Sequence, residues 1–406
     1  MVTSFFPPHH FGGDAVYVRQ LVDALRIRGH DVDVVYCYDA YRISGGKIGR
    51  PKHDTNTNTN TNGAGVVLSL ESRYGSLSPL ITQMTGQPGL KWSVLKDIFD
   101  KDYDVVHFHN MSLIGGPGIL PMSKAPLTLF TAHEHWTVCP MHIFWKYKTK
   151  ACDSRQCFLC QIRSGRPPQL WRYTNLMNSA FESVDHVFAP SKFTKGALQD
   201  GGIKRPISVL PLFAPASFEK LAVQMPPAAE PTFLFVGRVT RSKGIVELIK
   251  LFSKRPSYRL NIVGEGDLKE ALCKLASMER NIEFLGPQPR EQLPELYRQA
   301  TAVILPSLAP ESFGLTTIEG FTQGTPAIVR DAGGAGEIIE QTGAGIVYRT
   351  DAEALDAMDK LASNSEYRDG LGEIARQSFL QKYTERHHVD AYMNKVAELF
   401  PENTGT

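Results

Sequence analysis

No stretch of this chain stays apolar for the ~20 residues that a bilayer-spanning helix needs, and the N-terminus lacks the basic start and apolar core of a secretory signal. Charge of one sign is also missing: 44 Lys and Arg stand against 42 Asp and Glu, a net +2. That balance argues against a dedicated nucleic-acid binder, whose phosphate contacts demand a basic excess. Cysteines number only six in 406 residues, far below the density of a disulfide scaffold. A cytoplasmic protein is the expectation. What remains, 42% hydrophobic and 21% charged, is an ordinary globular composition in a chain too long for one hydrophobic core. Two domains are expected.

The chain opens abruptly. Residues 1–8, MVTSFFPP, read as the tail of a first strand running into its loop, and about four further apolar residues would complete a strand of ordinary length. Residue 1 reads equally as the true start or as a point inside a strand that begins upstream. Past Gly12-Gly13, Val16, Leu21, Leu25 and Ile27 recur at helical spacing, Gly29 ends the helix, and 32–36 reads as a strand. Residues 42–65 have no apolar period, and Thr alternates with Asn from 55 to 62, as in a surface insert. A short helix over 92–100, strands at 105–108, 127–131, 187–191 and 207–211, and a helix over 175–184 complete a first domain, 1–213. Ser191 stands where a helix cap is expected.

Residues 214–231, rich in Pro and Ala, read as a linker. The pattern then restarts with strands at 232–236, 260–263, 282–284, 302–305 and 327–329 and helices from 245 and 268, giving a second domain, 232–383. A last helix within 384–406 carries Val389, Tyr392, Val396 and Leu399 on one face and is expected to pack back on the first domain. The fold class is α/β: two doubly wound, Rossmann-like domains facing a cleft, where a ligand is expected.

Residues 305–320, LPSLAPESFGLTTIEG, form the strand-to-helix corner around which the chemistry gathers. The strand stops at Pro306, a helix begins near Phe313, and Glu311 and Glu319 stand eight positions apart. Amides at a helix start attract anions, so carboxylates placed there are aimed at hydroxyl groups, and a sugar supplies those. Earlier, Gly237-Arg238-Val239-Thr240-Arg241-Ser242-Lys243-Gly244 follows a buried strand directly. Gly237 lets the backbone turn closely, and Arg238 and Lys243 bring two cations to the carboxyl edge of the sheet, as a departing diphosphate needs. In the first domain the strand 105–108 brings His107 and His109 to its carboxyl end on one face. Such a pair is more often structural than catalytic.

In order, Gly237-Arg238 with Lys243-Gly244, Gly264-Glu265-Gly266 and Glu311-x7-Glu319 resemble the donor domain of retaining glycosyltransferases of family 4. The likeness runs over nearly the whole chain, Gly12-Gly13 included. It implies the GT-B fold and transfer of a hexose from a UDP- or GDP-sugar to a glycan or lipid-linked acceptor in cell-surface polysaccharide or glycolipid synthesis. It assigns Arg238 and Lys243 to the diphosphate and Glu319 to the ribose hydroxyls. Glu311, with the amides of Phe313, Gly314 and Leu315, is assigned to the transferred sugar and α-phosphate. Gly264 is assigned to the neighbourhood of the base, and His109 to the sugar. Gly12 and Gly13 would let the N-terminal loop approach donor phosphate or acceptor, and Gly333-Gly334 with Glu337 match a further family stretch. None of these motifs contains an Asp-x-Asp pair, so no cofactor is expected for transfer. The alternatives are a nucleotide-sugar epimerase on the same architecture, which needs no acceptor, and a non-catalytic carbohydrate-binding protein, which would lack the charged set.

Four cysteines, Cys139, Cys152, Cys157 and Cys160, are spaced x12, x4 and x2. Cys157-x2-Cys160 is a good half-site for a structural zinc, with an iron–sulfur cluster, reduced thiols and disulfides as the alternatives. His133-Glu134-His135 is not a metalloprotease motif, because Thr137 stands where its second His belongs. Between 141 and 175 Lys146, Lys148, Lys150, Arg155, Arg163, Arg166 and Arg172 face Asp153 alone, with Phe144, Trp145, Tyr147 and Trp171 among them. That segment reads either as a solvated loop or as a lid touching anionic lipid or a lipid-linked diphosphate, peripheral on the inner membrane face.

Overall fold

The computed structural model of the protein describes residues 1–49, 65–221, 230–276 and 279–400. The Thr/Asn alternation at 55–62 and the middle of the Pro/Ala-rich segment, 222–229, lie outside the described residues. The chain forms two units: Met1–His142, Gln156–Leu210 and the chain from Val389 make the first, and Ile143–Arg155 with Pro211–His388 make the second.

In chain order the strands of the first unit are β1 (Val34–Cys37), β2 (Val67–Leu70), β3 (Val105–Phe108) and β4 (Leu127–Thr131). A small hairpin of β5 (Trp145–Lys146) and β6 (Lys150–Ala151), which belongs to the second unit, comes next, and then β7 (His186–Ala189) and β8 (Ile207–Val209). β3, β4, β7 and β8 pair in that order, all parallel, and β1 pairs parallel with β2. Val2 makes parallel bridges to both Val35 and Phe108. The first residues thus occupy a strand's place between β1 and β3. The residues of β1 and β4 are buried throughout, as expected of parallel strands covered on both faces. Each large apolar side chain so buried contributes ~1.5–3 kcal/mol.

The second unit contains β9 (Thr232–Val236), β10 (Arg259–Val263), β11 (Ile282–Gly286), β12 (Ala302–Leu305), β13 (Ala327–Arg330) and β14 (Gly345–Tyr348). Its sheet order is β11-β10-β9-β12-β13-β14, with every pairing parallel. Phe233, Phe235, Ile262, Ile304 and Ile328 are central to its core. Because the chain winds outward from β9 in one direction and from β12 in the other, the loops after these two strands border the topological switch point. Ligands bind there in open α/β sheets.

The structure adds elements that the sequence pattern did not suggest: β2, the hairpin and β14. Ile27, assigned above to a helical face, is 83% exposed. It closes the helix Gly13–Ile27, and two residues past the buried Leu25 is a rotation of roughly 200° off the apolar stripe. In the second unit Phe218 is buried and the Gln323 amide donates to the carbonyls of Phe218 and Lys220, so the early part of the Pro/Ala segment is packed. In the first unit Tyr392, on the last helix (Glu385–Leu399), stacks on His107. Among the described residues no helix is long and apolar enough to cross a membrane.

Candidate functional site

The loop after β9 and the loop after β12 are fastened together. The amides of Leu308 and Ala309 both donate to the Ser242 carbonyl, at 2.8 and 3.0 Å. Gly244, at φ 72°, lies so close that a Cβ would stand 2.0 Å from the Pro306 carbonyl oxygen. This approach brings Lys243 Nζ to 2.5 Å from Glu311 Oε1, and the Ser307 hydroxyl also donates to that carboxylate. The backbone of Glu311 is pinned as well: its N–H donates to the Ala332 carbonyl and its carbonyl accepts from Gly334. Gly333 permits this at φ 79°, since a Cβ there would come within 2.5 Å of the Glu311 oxygen.

Burial alone would push the Glu311 carboxyl up. The Lys243 charge and hydrogen bond, the Ser307 hydroxyl and the Arg238 charge outweigh it and hold the pKa below the ordinary value. Glu311 is therefore an ionised acceptor next to two cations, with Arg238 exposed beside it. Phe313 is buried against Tyr383, Gly314 caps the following helix at φ 105°, and Leu315 opens that helix, Leu315–Phe321. Gly264 meets the Gly237 backbone, whose carbonyl oxygen occupies the space a Cβ would need.

Glu319 is not a helix-surface carboxylate. It is 5% exposed, accepts from the Tyr297 hydroxyl at 2.7 Å and lies 3.3 Å from Arg290 Nη2. Here burial wins: its pKa is raised, though Arg290 and the Tyr297 hydrogen bond oppose the shift. The two glutamates thus have opposite proton affinities. Sequence reasoning missed Ser307, Tyr297 and Arg290, of which only Ser307 lies within the quoted motif.

In the first unit His107 is a structural histidine, bonded to Thr131 Oγ1 at 2.7 Å and to the Tyr392 hydroxyl at 3.1 Å. His109 is different. Buried at the end of β3, its Nδ1 lies 3.0 Å from His133 Nε2. Next to it the Asn110 amide nitrogen donates at 3.3 Å to both Asp14 and Glu134, and His142 Nδ1 lies 2.6 Å from Glu134. Burial and then the Glu134 charge push the Asp14 carboxyl up to about 6. For Glu134 the upward push of burial is outweighed by His142, His133 and Arg166, so its pKa falls. A small cavity is lined by His109, Asn110, His133, Glu134, Trp136 and Thr137. Among the described residues the buried Trp136 Nε1 and Thr137 Oγ1 have no hydrogen-bond partner.

Gly12 caps the helix Gly13–Ile27 at φ 81°, Gly13 begins it, and both are exposed. Asp14 follows directly, a neighbour the Gly-Gly pair could have flagged. Ser191 does cap its helix, accepting from the Thr194 amide.

The structure does not assemble the four cysteines expected as a zinc set. Among the described residues no group of three or more His, Cys, Asp or Glu side chains could hold a metal ion. Cys139 and Cys160 are buried, Cys157 is half-buried, Cys152 is exposed, and none of the four forms a disulfide. The guanidinium groups of Arg166 and Arg172 stand close enough to Cys139 to feel its charge, positive groups that a cation would not favour. Of the chain's Asp-x-Asp pairs, Asp31-x-Asp33 is structural at Asp33, whose carboxylate accepts from the Val66 amide and the Tyr103 hydroxyl.

Two Rossmann-type parallel units of this kind make up the GT-B fold. The chain is similar over 98% of its length to sucrose-phosphate synthase from Thermosynechococcus elongatus, at TM-score 0.76, 19% identity and 98% coverage of that chain. It is also similar to Anabaena HepE in complex with UDP and glucose, at TM-score 0.63 and 16% identity, over 98% of this chain and 99% of that one. Residues 11–216 match the profile "Glycosyltransferase Family 4" and residues 218–378 match "Glycosyl transferases group 1". The chain belongs to glycosyltransferase family 4. An uncharacterized glycosyltransferase of Methanocaldococcus jannaschii is 26% identical over 95% of this chain and 94% of its own length. The O-antigen chain mannosyltransferase C of Escherichia coli is 32% identical, over 41% of this chain and 46% of that protein.

Proposed function

We propose that this glycosyltransferase transfers a hexose, with retention at the anomeric carbon, from a UDP- or GDP-sugar to a glycan or lipid-linked acceptor of a cell-surface polysaccharide or glycolipid. The observation that carries the reading is the Lys243–Glu311 contact of 2.5 Å at the switch point, with Arg238 beside it. A cation pair flanking an ionised carboxylate suits a sugar diphosphate, because the cations take the phosphates while the carboxylate accepts from sugar hydroxyls. Glu311 then works with the amides of Phe313, Gly314 and Leu315 on the sugar and α-phosphate, and Glu319 is the ribose ligand. The close-lying backbones at Gly237 and Gly264 leave room for the nucleotide. In the first unit His109 contacts the transferred sugar, and Gly12 and Gly13 keep the N-terminal loop free of side chains.

In the step itself the acceptor oxygen bonds to the anomeric carbon on the face from which the diphosphate departs. The bond to the phosphate oxygen breaks with its electron pair, and that oxygen takes the acceptor's proton. Arg238 and Lys243 stabilise the negative charge that accumulates, so transfer proceeds without a metal ion. UDP is the favoured nucleotide, on the likeness to the protein solved with UDP and glucose, and a polysaccharide acceptor is supported by the O-antigen relative.

Calorimetric titration with UDP and GDP, followed by NMR of the first-formed anomer during slow donor hydrolysis, tests the reading. The expected outcome is tight UDP binding, retained configuration and turnover insensitive to chelator. An inverted product would refute it, as would activity abolished by chelation and restored only by magnesium or manganese.

A further inference from the structure

In the second unit Glu319 is gripped from two sides by residues outside its own motif. The Tyr297 hydroxyl donates to Oε2 at 2.7 Å, and Arg290 Nη2 lies 3.3 Å from Oε1. Both partners come from one stretch after β11: Arg290 opens the turn Arg290–Gln292, and Tyr297 is on the helix Leu293–Gln299. The helix that carries Glu319 sits tightly on this stretch. At its Gly320 a Cβ would stand 2.7 Å from the Val303 side chain and 3.7 Å from the Tyr297 ring. Tyr297 is fixed in turn, its carbonyl accepting from the Thr325 hydroxyl at 2.7 Å.

The two partners differ in what they supply. Tyr297 is 0% exposed, and burial keeps its hydroxyl protonated, so it orients the carboxylate without adding charge. Arg290 brings the charge, and its guanidinium lies over the Phe218 ring at 5.6 Å. At the side chain Arg290 is 29% exposed and Glu319 7%, so water screens the pair on the arginine's side alone. Arg376, on the adjoining helix Ser365–Ser378, gives its guanidinium to the Thr322 and Glu219 carbonyls instead. Burial pushes the Glu319 carboxyl up, and Arg290 is the first of the groups that oppose it. Without a cation a carboxylate so enclosed takes up a proton more readily. A carboxylic acid is a weaker acceptor for hydroxyl groups than a carboxylate.

We propose, resting on the ribose role given to Glu319, that Arg290 and Tyr297 are its positioning residues. The guanidinium keeps the carboxylate charged and the phenol aims it, so that it accepts from both hydroxyls of a ribose. The second unit then selects a ribonucleotide over the 2′-deoxy form. Neither Arg290 nor Tyr297 has to touch the nucleotide.

Calorimetric titration of the full chain with UDP and 2′-deoxy-UDP tests this, with the GDP pair used if GDP is the nucleotide that binds. The wild type should prefer the ribonucleotide about thirtyfold, as expected of a hydrogen bond to a charged acceptor, with a ratio flat from pH 7 to 9. Arg290→Met should lower the ratio to about threefold at pH 7 and let it climb as the pH rises, because the carboxyl now ionises later. Arg290→Gln, which keeps a hydrogen-bond donor and drops the charge, should behave alike and serves if the Met variant unfolds. Arg290→Lys should stay near the wild-type ratio, and Tyr297→Phe should lower it about threefold. Adding Arg290→Met to Glu319→Gln should change the ratio no further, since Arg290 acts through that carboxylate. A purely structural role would lower the melting temperature and leave the ratio and its pH profile as in the wild type. That result would overturn the proposal while sparing Glu319 as the ribose ligand. A wild-type ratio near one would overturn the ribose role and the proposal together, and no binding of either nucleotide would overturn the donor class as well.

Discussion

Replacing Lys243 by Met is the sharpest perturbation the second unit offers, because it removes one charge and nearly conserves the shape. Lys243 and Glu311 are 27% and 18% exposed at the side chain, so the pair is mostly withdrawn from water without being dry. Removing one partner of a fully buried pair costs ~3–5 kcal/mol, and the residual solvent here reduces that to about 2 kcal/mol. For a unit of this size the loss should lower its melting temperature by about 4–8 °C at pH 7.

The pH dependence has a definite sign. The pKa of Glu311 in the fold lies below its ordinary value of 4.5, so its stabilising contribution is complete above that value and is lost as pH falls through the folded pKa. Without Lys243 the upward push of burial loses its main opponent, so the variant takes up the proton at higher pH than wild type and the gap between them should shrink as the pH is taken from 7 toward 4. Adding Glu311→Gln should restore most of the stability, since no unpaired carboxylate remains. Nucleotide binding should not recover: one charged phosphate contact is worth about 2 kcal/mol, roughly thirtyfold in UDP affinity. Calorimetric scans across pH, with UDP titrations of the same three proteins, check this. Equal melting temperatures at pH 7, or UDP affinity restored by Glu311→Gln, would refute the reasoning.

Two further substitutions separate structure from chemistry. Gly333→Ala puts a methyl group 2.5 Å from the Glu311 carbonyl oxygen in a left-handed backbone; a loss of about 2 kcal/mol in stability and of donor hydrolysis is expected, and an unchanged thermal scan would contradict the packing described. Asp14→Asn should do the opposite to stability. With the folded pKa raised to about 6 from 3.8, Asp14 destabilises the protein as pH rises through that window, so the variant should gain about 2 kcal/mol at pH 7 after allowance for solvent at its edge, and little at pH 4. A stabilisation independent of pH would show that the carboxylate is not strained by burial and by Glu134.

The strands β9, β10 and β12 were legible because each is a short apolar run cut off by Gly or Pro, β13 because its run starts directly after Pro326, and the turn residues after β9 and β12 name the loops that carry Arg238, Lys243 and Glu311. β2 and β14 escaped because edge strands are only half-buried and so need no continuous apolar run. The hairpin escaped because its tight turns use positive φ at Phe144, Tyr147 and Lys148, residue types that do not announce it. Glu319 reads equally well as a surface or a buried carboxylate until Tyr297 and Arg290 are seen to enclose it.

Local order therefore determined the two parallel α/β units, the switch-point loops and the identity of the charged residues, since those follow from periodicity and chain-breaking residues over a few positions. Tertiary structure alone decided the proton affinities and the partners. Asp14 meets Glu134 through Asn110, His109 meets His133, and Gln161 rather than Phe158 is the side chain buried in its helix. Those outcomes depend on contacts between residues far apart in sequence and on how much water each is left with, and neither is written in any short stretch of the chain.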